Sequence, residues 1–295
     1  MIDDCWARIE QAIAEASGHA PASMQRTPVG GGDINAAYRL EGPTARWFVK
    51  LNRADRLWMF EAEAAGLAAM ASAAEGPRVP RPLTTAVAGN RSYAAMEWID
   101  LHPRGDKTAL GHALANMHAV TADQYGWDRD NTIGDTHQVN PWGRDWVAFY
   151  REHRLRFQLD LARRNGFGGR LQDRGEALAE RLGAFFSDYT PLPSLLHGDL
   201  WSGNVAFDGT GAPVLYDPAV YFGDRESDLA MSELFGRLPA AAYSAYEAVW
   251  PLDAGYPVRR ELYQLYHILN HANLFGGPYA REAEGMIDRL LVAVE

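Results

Sequence analysis

The sequence predicts an α+β protein of two lobes. Residues 1–98 would form a small N-terminal lobe in which an antiparallel sheet packs with helices, and residues 99–295 a larger, mainly helical C-terminal lobe. Short β-rich runs separated by turns fill most of the first part, whereas helical spacing of apolar residues dominates the second. The chain has 295 residues and is 47% hydrophobic, which is enough to build two lobes that share a cleft.

The first elements are a helix over residues 3–16 and a glycine-rich turn between two short strands. The turn contains Gly30, Gly31, Gly32 and Asp33, and the strand after it covers residues 36–40. Consecutive glycines allow backbone N–H groups to approach phosphate oxygens closely, which makes Gly31, Gly32 and Asp33 candidate ligand contacts. The same residues also suit an ordinary hairpin turn, and neither established glycine-rich nucleotide motif is present.

A strand over residues 46–51 carries Lys50 among apolar neighbours, and a helix from Leu57 to about Ala73 follows it with Glu61 and Glu63. A lysine at a strand end is commonly a surface residue. The alternative is an ion pair between the strand lysine and a helix glutamate, for which we favour Glu63.

Two further strands cover residues 83–87 and 91–97, and strand character is lost shortly after Glu97, Trp98 and Ile99. This position suits a hinge between the two lobes, although an edge strand followed by a loop has the same pattern. The remaining chain predicts helices at 108–120, 142–165, 172–187, 223–235, 240–250, 259–275 and 279–294. The long polar loop from Gly126 to Pro141 is of the kind that often carries function.

Four features of the helical part predict structural roles. We expect His118 to be a satisfied core residue and the acid-rich run 224–228 to cap a helix in part. We expect the arginines at 151, 154, 156, 163 and 164 to form a solvated face. The aromatic run of Tyr263, Tyr266, His267, His271 and Phe275 keeps helical spacing and predicts packing.

The segment from Leu195 to Val205 carries the strongest chemical signal. It contains His197, Asp199 and Asn204 in the spacing His-x-Asp-x-x-x-x-Asn, and Asp217 follows a short turn and a second apolar strand. A hairpin would return Asp217 beside Asn204. In phosphoryl transfer the acid on such a loop receives the acceptor proton, while the amide and the second acid hold magnesium. Without the second acid, Asp199 and Asn204 could equally be turn residues.

The order of these features favours phosphoryl transfer over coincidence. In kinases the strand lysine and helix glutamate secure the nucleotide phosphates, and the hinge backbone holds the adenine, here through residues 97–99. The Phe-Gly that follows the metal-binding acid in protein kinases is replaced by Pro218-Ala219, which points to small-molecule kinases. The formal net charge of −10 argues against nucleic acid and anionic membranes as partners, and triphosphate binding would need magnesium and a local cation.

Longer motifs resemble the fructosamine kinase family, also called ketosamine 3-kinases, which are related to aminoglycoside and choline kinases. The resemblance covers nearly everything from about Val29 and rests on residues 31–35, 48–50, 96–98, 133–140, 197–204, 217–226 and 265–276. It implies a protein-kinase-like fold, ATP with magnesium, and phosphorylation of the sugar 3-hydroxyl of a fructosamine or ribulosamine, small or protein-bound.

By the same resemblance Asp199 is the base, Asn204 and Asp217 hold magnesium, and Lys50 with Glu63 secures the phosphates. Trp201 is specific to these motifs and can stack on the apolar face of the sugar. Animal members often carry a cysteine in the glycine-loop region, where this chain has three glycines, so redox switching through that loop is not expected.

Two alternatives remain open at this point: a kinase of another small amino alcohol or an aminoglycoside, and a catalytically inactive nucleotide-binding protein. The expected partner is a small ketosamine or glycated amine, and the sequence leaves the oligomeric state open. Cys5 is the only cysteine, the amino terminus is acidic, and no run of about 18 apolar residues occurs, so we expect a cytoplasmic protein.

Overall fold

A five-stranded antiparallel sheet forms the centre of the N-terminal part in the computed structural model, which describes residues 2–18, 24–30 and 34–295. The strand order is β1-β2-β3-β5-β4. The strands are β1 (Gln25–Val29), β2 (Ala36–Glu41), β3 (Arg46–Arg53), β4 (Pro82–Ala88) and β5 (Arg91–Glu97).

Each face of this sheet packs on one helix, because alternate residues of a strand point to opposite faces. Trp47 and Val49 of β3 are buried in a cluster with residues of α1 (Ile2–Ser17). Phe48 lies on the other face, against a cluster that contains residues of α2 (Leu57–Ala71). Lys50 has the same parity as Phe48, so β3 directs it to the face on which the cleft lies.

The rest of the chain is mainly helical, with three two-stranded antiparallel pairs, β6 with β7, β8 with β11, and β9 with β10. The short strands are β6 (Asn131–Ile133), β7 (Thr136–Gln138), β8 (Ser194–Leu196), β9 (Val205–Phe207), β10 (Pro213–Leu215) and β11 (Tyr221–Gly223). The helices are α3 (Lys107–His118), α4 (Trp146–Tyr150), α5 (Phe157–Arg164), α6 (Arg170–Arg181), α7 (Glu226–Ser232), α8 (Ala240–Val249), α9 (Tyr256–Phe275) and α10 (Pro278–Ala293).

One hydrophobic cluster joins the two parts of the molecule and holds the segment between β8 and β9. Leu195 and Leu200, which flank that segment, are fully buried in the same cluster as Phe60 of α2 and Met96 of β5. Burying a leucine side chain stabilises a fold by about 1.5–3 kcal/mol. The loop between these leucines is therefore anchored at both ends to the sheet-bearing part.

The helix predicted over residues 142–165 is wrong in its start and its regularity. The structure begins α4 at Trp146, where the Asp145 side chain accepts a hydrogen bond from the Ala148 N–H (3.1 Å), and a π-helical segment, Arg151–Arg156, separates α4 from α5. The predicted solvated arginine face is wrong at Arg154, which is fully buried. Its guanidinium donates to the Val139 carbonyl (2.8 Å) and lies over the Tyr221 ring.

The α+β prediction is confirmed, and the predicted boundary between the lobes, at residue 98, falls directly after β5. That boundary stays a prediction. Among the described residues, every helix is too short or too polar to cross a membrane.

Candidate active site

The loop after β8 lies against the segment that follows Asp217. The Ala219 N–H donates to the His197 carbonyl (2.8 Å), and Gly198 has a φ of +81°. A Cβ at Gly198 would lie 2.0 Å from the Ala219 carbonyl oxygen, so only glycine fits this close approach. His197 is buried, which lowers its pKa, and its Nδ1 accepts from the Asp199 N–H (3.2 Å) while Nε2 donates to the Tyr216 carbonyl (3.0 Å).

Asp228 of α7 holds this loop through hydrogen bonds to its backbone. Its carboxylate accepts from the N–H groups of His197 (2.7 Å) and Gly198 (2.8 Å) and from Nε2 of His118 (3.1 Å). Burial alone would raise the pKa of Asp228, but the hydrogen bonds and the neighbouring histidines outweigh it and lower the pKa. The prediction that His118 is a satisfied core residue is confirmed, since its Nδ1 also pairs with the Tyr246 hydroxyl (2.8 Å).

The interpretation of run 224–228 as helix capping is therefore incomplete. Asp224 does accept from the Glu226 N–H (3.0 Å), as a capping residue would. Asp228 instead supports the loop after β8, and Glu226 forms a buried ion pair with Arg259 (2.7 Å). The sequence signal that could have identified Glu226 was the long motif at 217–226, which exceeds what a helix start requires; Asp228 lies beyond that motif.

Asn204 links the loop to the segment around Asp217. Its amide nitrogen donates to the carbonyl of Asp199 (2.8 Å), is 3.3 Å from the Asp199 carboxylate, and is 3.5 Å from the carbonyl of Asp217. The pKa of Asp199 is raised to about 7. Burial is the largest cause, the hydrogen bond from Asn204 opposes it, and the carboxylates of Asp217 and Asp228 add to it. Asp199 is thus a carboxylate that exchanges a proton near neutral pH.

The β9–β10 hairpin places Asp217 as the sequence predicted. Val205 pairs with Leu215, which returns the chain to the level of Asn204, and Asp217 then adopts a φ of +57°. A non-glycine residue in this region is uncommon, and such strain clusters at functional sites. The side chain of Asp217 is 48% exposed, so it faces the cleft rather than the core.

Lys50 connects Asp217 with α2. Its ammonium group lies 2.6 Å from the Glu63 carboxylate and 2.7 Å from the Asp217 carboxylate. Burial by itself would lower the pKa of Lys50, but the two carboxylates outweigh it and raise the pKa. Burial raises the pKa of Glu63, an effect that the charge of Lys50 opposes. The preference for Glu63 over Glu61 as the partner of Lys50 is confirmed as a contact.

A cavity of about 1260 Å³ opens between the two parts of the molecule at this point. Five of the predicted residues line it: Lys50, Glu63, Asp199, Asn204 and Asp217. Trp201 lines it as well, with its ring packed over Gly203.

The three predicted hinge residues lie elsewhere. Glu97, Trp98 and Ile99 are not among the described residues that line this cavity. The Glu97 N–H donates to the Arg81 carbonyl (2.9 Å), its side chain pairs with Arg78, and Trp98 donates to Asp100 (2.8 Å). Gly31, Gly32 and Asp33 lie outside the described residues.

Several cavity residues were missed by the sequence reasoning. The prediction that the aromatic run of α9 packs in the core holds for Tyr263, Tyr266 and His267, which are buried, and is wrong for Phe275, which is 60% exposed. His267, His271 and Phe275 also line the cavity. The loop between Gly126 and Pro141 contributes residues 131–135. Both segments overlap motifs on which the family resemblance rests, at 133–140 and 265–276.

The oxygen donors of this site are too few to bind a hard divalent cation by themselves, and they fit one only together with phosphate oxygens and water. The described residues contain no cluster of three or more His, Cys, Asp or Glu side chains suited to a metal ion. The amide nitrogen of Asn204 donates hydrogen bonds, so its amide oxygen points away from those partners. The side chain of Asp217 is largely exposed. Magnesium binds in this manner, through one or two protein groups together with phosphate oxygens and water.

The fold has two parts, and its cavity brings together a strand lysine paired to a helix glutamate and, facing that pair, an acid, an amide and a second acid. This arrangement defines a phosphotransferase of the protein-kinase-like class. The family model for fructosamine kinase matches residues 5–293, and the chain belongs to that family.

Curated relatives agree with this assignment. A probable ketoamine kinase of Synechocystis sp. is 46% identical over 290 residues, which cover 97% of each chain. A chloroplastic protein-ribulosamine 3-kinase of Arabidopsis thaliana is 44% identical over 267 residues, which cover 89% of this chain and 81% of the relative.

Solved structures agree on the fold. A structure assigned as a fructosamine-3-kinase of Haemophilus somnus has a TM-score of 0.89 at 28% identity and covers 98% of this chain and 99% of its own. Aminoglycoside phosphotransferase APH(4)-Ia, at 16% identity, has a TM-score of 0.58 over 97% of this chain and 98% of its own, which supports the fold alone.

Proposed function

We propose that the protein transfers the γ-phosphoryl group of ATP to the sugar 3-hydroxyl of a ketosamine, a fructosamine or ribulosamine that is either small or attached to a protein. Relatives named as ketoamine and protein-ribulosamine kinases support the substrate class. The observation that carries the proposal is the convergence of Lys50, Asp199, Asn204 and Asp217 on one cavity.

Asp199 acts as the general base in this proposal. Its pKa of about 7 lets the carboxylate accept a proton near neutral pH and release it afterwards. Asp228 keeps the loop in place by accepting hydrogen bonds from two N–H groups of the loop. The hydrogen bond that the Asn204 amide donates to the Asp199 carbonyl orients Asp199. The chain thus supplies both the proton acceptor and its alignment.

Lys50 binds phosphate oxygens of the nucleotide, and Glu63 holds the ammonium group in position at 2.6 Å. Asp217 and Asn204 would hold magnesium through their oxygens. When bound, magnesium offsets the charge of the phosphate oxygens during transfer. Because the ammonium group of Lys50 lies 2.7 Å from the Asp217 carboxylate, it also neutralises part of the acidic charge of the site.

Adenine contacts from the backbone of residues 97–99 and phosphate contacts from Gly31, Gly32 and Asp33 stay predictions from the sequence. Trp201, on the wall of the cavity, stacks on the sugar. The protein works in the cytoplasm, where a single cysteine that is buried, Cys5, suits a reducing environment.

An ADP-coupled assay tests the proposal. A ribulosamine and a fructosamine made from the same amine are compared with choline and an aminoglycoside, each with magnesium and with excess chelator. We expect magnesium-dependent ADP formation with the ketosamines and a phosphate on the 3-hydroxyl of the product by phosphorus NMR. Turnover of choline or the aminoglycoside in preference to both ketosamines would contradict the proposal.

A further inference from the structure

Four aromatic side chains form one cluster on the wall of the cavity. Phe235 follows α7, His271 and Phe275 lie on α9, and Tyr279 lies on α10. The His271 ring is in contact with the other three, with ring centroids 4.5 Å from Phe235, 5.4 Å from Phe275 and 5.2 Å from Tyr279. We call these residues the aromatic cluster.

The aromatic cluster adjoins the catalytic loop. The hydroxyl of Ser202, which follows Trp201, donates to the carbonyl of Phe235 (3.2 Å). All four rings line the cavity that Asp199 and Asp217 also line. A molecule whose hydroxyl lies at Asp199 therefore occupies the same cavity as the four rings.

The aromatic cluster is uncharged at neutral pH. Burial lowers the pKa of His271, and its Nδ1 donates to the His267 carbonyl (2.8 Å), which fixes the ring. Burial also lowers the pKa of the adjoining His267, to about 3. The charged side chains that line the cavity belong to other residues, namely Lys50, Arg53, Arg56, Glu63, Asp135, Asp199 and Asp217.

Phe275 is unusual because 60% of its surface is exposed although it borders a deep cavity. A large ring held at a cavity mouth contributes little to folding, since it buries little area. It gains contact area when an apolar group enters beside it, which is typical of ligand sites lined by aromatic residues around a few polar groups.

We propose that the aromatic cluster binds the hydrocarbon substituent on the amino nitrogen of the ketosamine, while the sugar lies at Asp199 and Trp201. This inference rests on the proposed function. A ketosamine joins a polar sugar to an amine, and the cavity offers both the charged groups of Lys50, Asp199 and Asp217 and the four uncharged rings of the aromatic cluster. The aromatic cluster thus determines which amines are accepted.

The test uses two ketosamines that share one sugar, one made from methylamine and one from benzylamine. In the unmodified protein we expect kcat/KM for the benzyl substrate to exceed that for the methyl substrate by about 10-fold or more, since a few apolar carbons in a pocket give roughly 10–200-fold discrimination. Phe275→Ala should lower kcat/KM for the benzyl substrate by about 10-fold and change the methyl value less than about 2-fold.

Two controls keep the result interpretable. Leu192→Ala removes a side chain that is 57% exposed and outside the cavity lining, and it should change neither value. Phe275→Tyr keeps a ring and should restore the benzyl preference. Melting temperatures of the variants verify that they fold.

Equal kcat/KM values for the two substrates in the unmodified protein would overturn the inference, and so would an equal loss for both in Phe275→Ala. These results leave phosphorylation of ketosamines intact. Absence of ADP formation with every ketosamine refutes the proposed function itself, together with the inference that rests on it.

Discussion

Replacing Asp228 by asparagine tests how the loop after β8 is held. Asp228 is 1% exposed. One carboxylate oxygen accepts from both the His197 N–H (2.7 Å) and His118 (3.1 Å), while the other accepts from the Gly198 N–H (2.8 Å). An asparagine has one acceptor oxygen. In either orientation its amide nitrogen must face at least one of these donors.

The expected cost follows from that count. One buried N–H left without an acceptor costs about 1–3 kcal/mol, and the remaining bonds lose the contribution of a charged acceptor. We therefore expect Asp228→Asn to lower the free energy of unfolding by roughly 2 kcal/mol or more. Because the loop carries Asp199, kcat should also fall about 10-fold or more.

Urea unfolding and initial rates measure the two effects, with Asp123→Asn, on the surface, as the matched control. The pKa of Asp228 is lowered from 3.8, so the stability it contributes is present above about pH 4 and is lost as the pH falls through the folded pKa. The difference between the two proteins should therefore shrink in acid. A variant within 0.5 kcal/mol of the parent at pH 7, roughly the range of neutral surface substitutions, would refute this account of the loop.

Three further predictions concern the site itself. Lys50→Met leaves the Glu63 carboxylate buried beside an uncharged group, so we expect the free energy of unfolding, measured in urea, to fall by about 3–5 kcal/mol. Adding Glu63→Gln should recover most of that loss. A double variant that is no more stable than the single one contradicts the pairing. Gly198→Ala puts a Cβ 2.0 Å from a carbonyl oxygen at a residue whose φ is +81°, so it should lower the free energy of unfolding by about 1–3 kcal/mol and remove most turnover. The control Gly168→Ala, at a glycine in open space, should do neither. Equal effects of the two substitutions would refute the steric argument. Since Asp199 must be ionised to accept a proton, kcat/KM should fall as the pH drops below about 7, and a profile that stays flat from pH 8 to pH 5 would contradict its role.

The catalytic loop was predictable from the sequence because its chemistry is local. Asp199 and Asn204 are five residues apart, and one short hairpin brings Asp217 to them. Lys50 and Glu63 lie on a strand and the next helix, so their contact needed only the usual packing of such a pair. For these residues, spacing along the chain nearly determines proximity in space.

The residues that were missed depend on long-range packing. Asp228 reaches His197 from 31 positions away, and helical spacing gives no sign of that contact. Arg154 had the charge pattern of a surface residue, but its burial depends on the Val139 carbonyl and the Tyr221 ring. Phe275 keeps the period of a packed helix although the structure leaves it at a cavity mouth.

The central claim is that Asp199 takes the proton from the acceptor hydroxyl, and the rate of ADP formation by Asp199→Asn tests it most directly. Asparagine keeps the size of the side chain, so calorimetric titration should give an affinity for magnesium–ATP within a few-fold of the parent. We expect turnover of a ketosamine to fall by about 10²–10⁴-fold, the usual loss of a general base. Turnover within a few-fold of the parent, with ATP binding unchanged, would contradict the account.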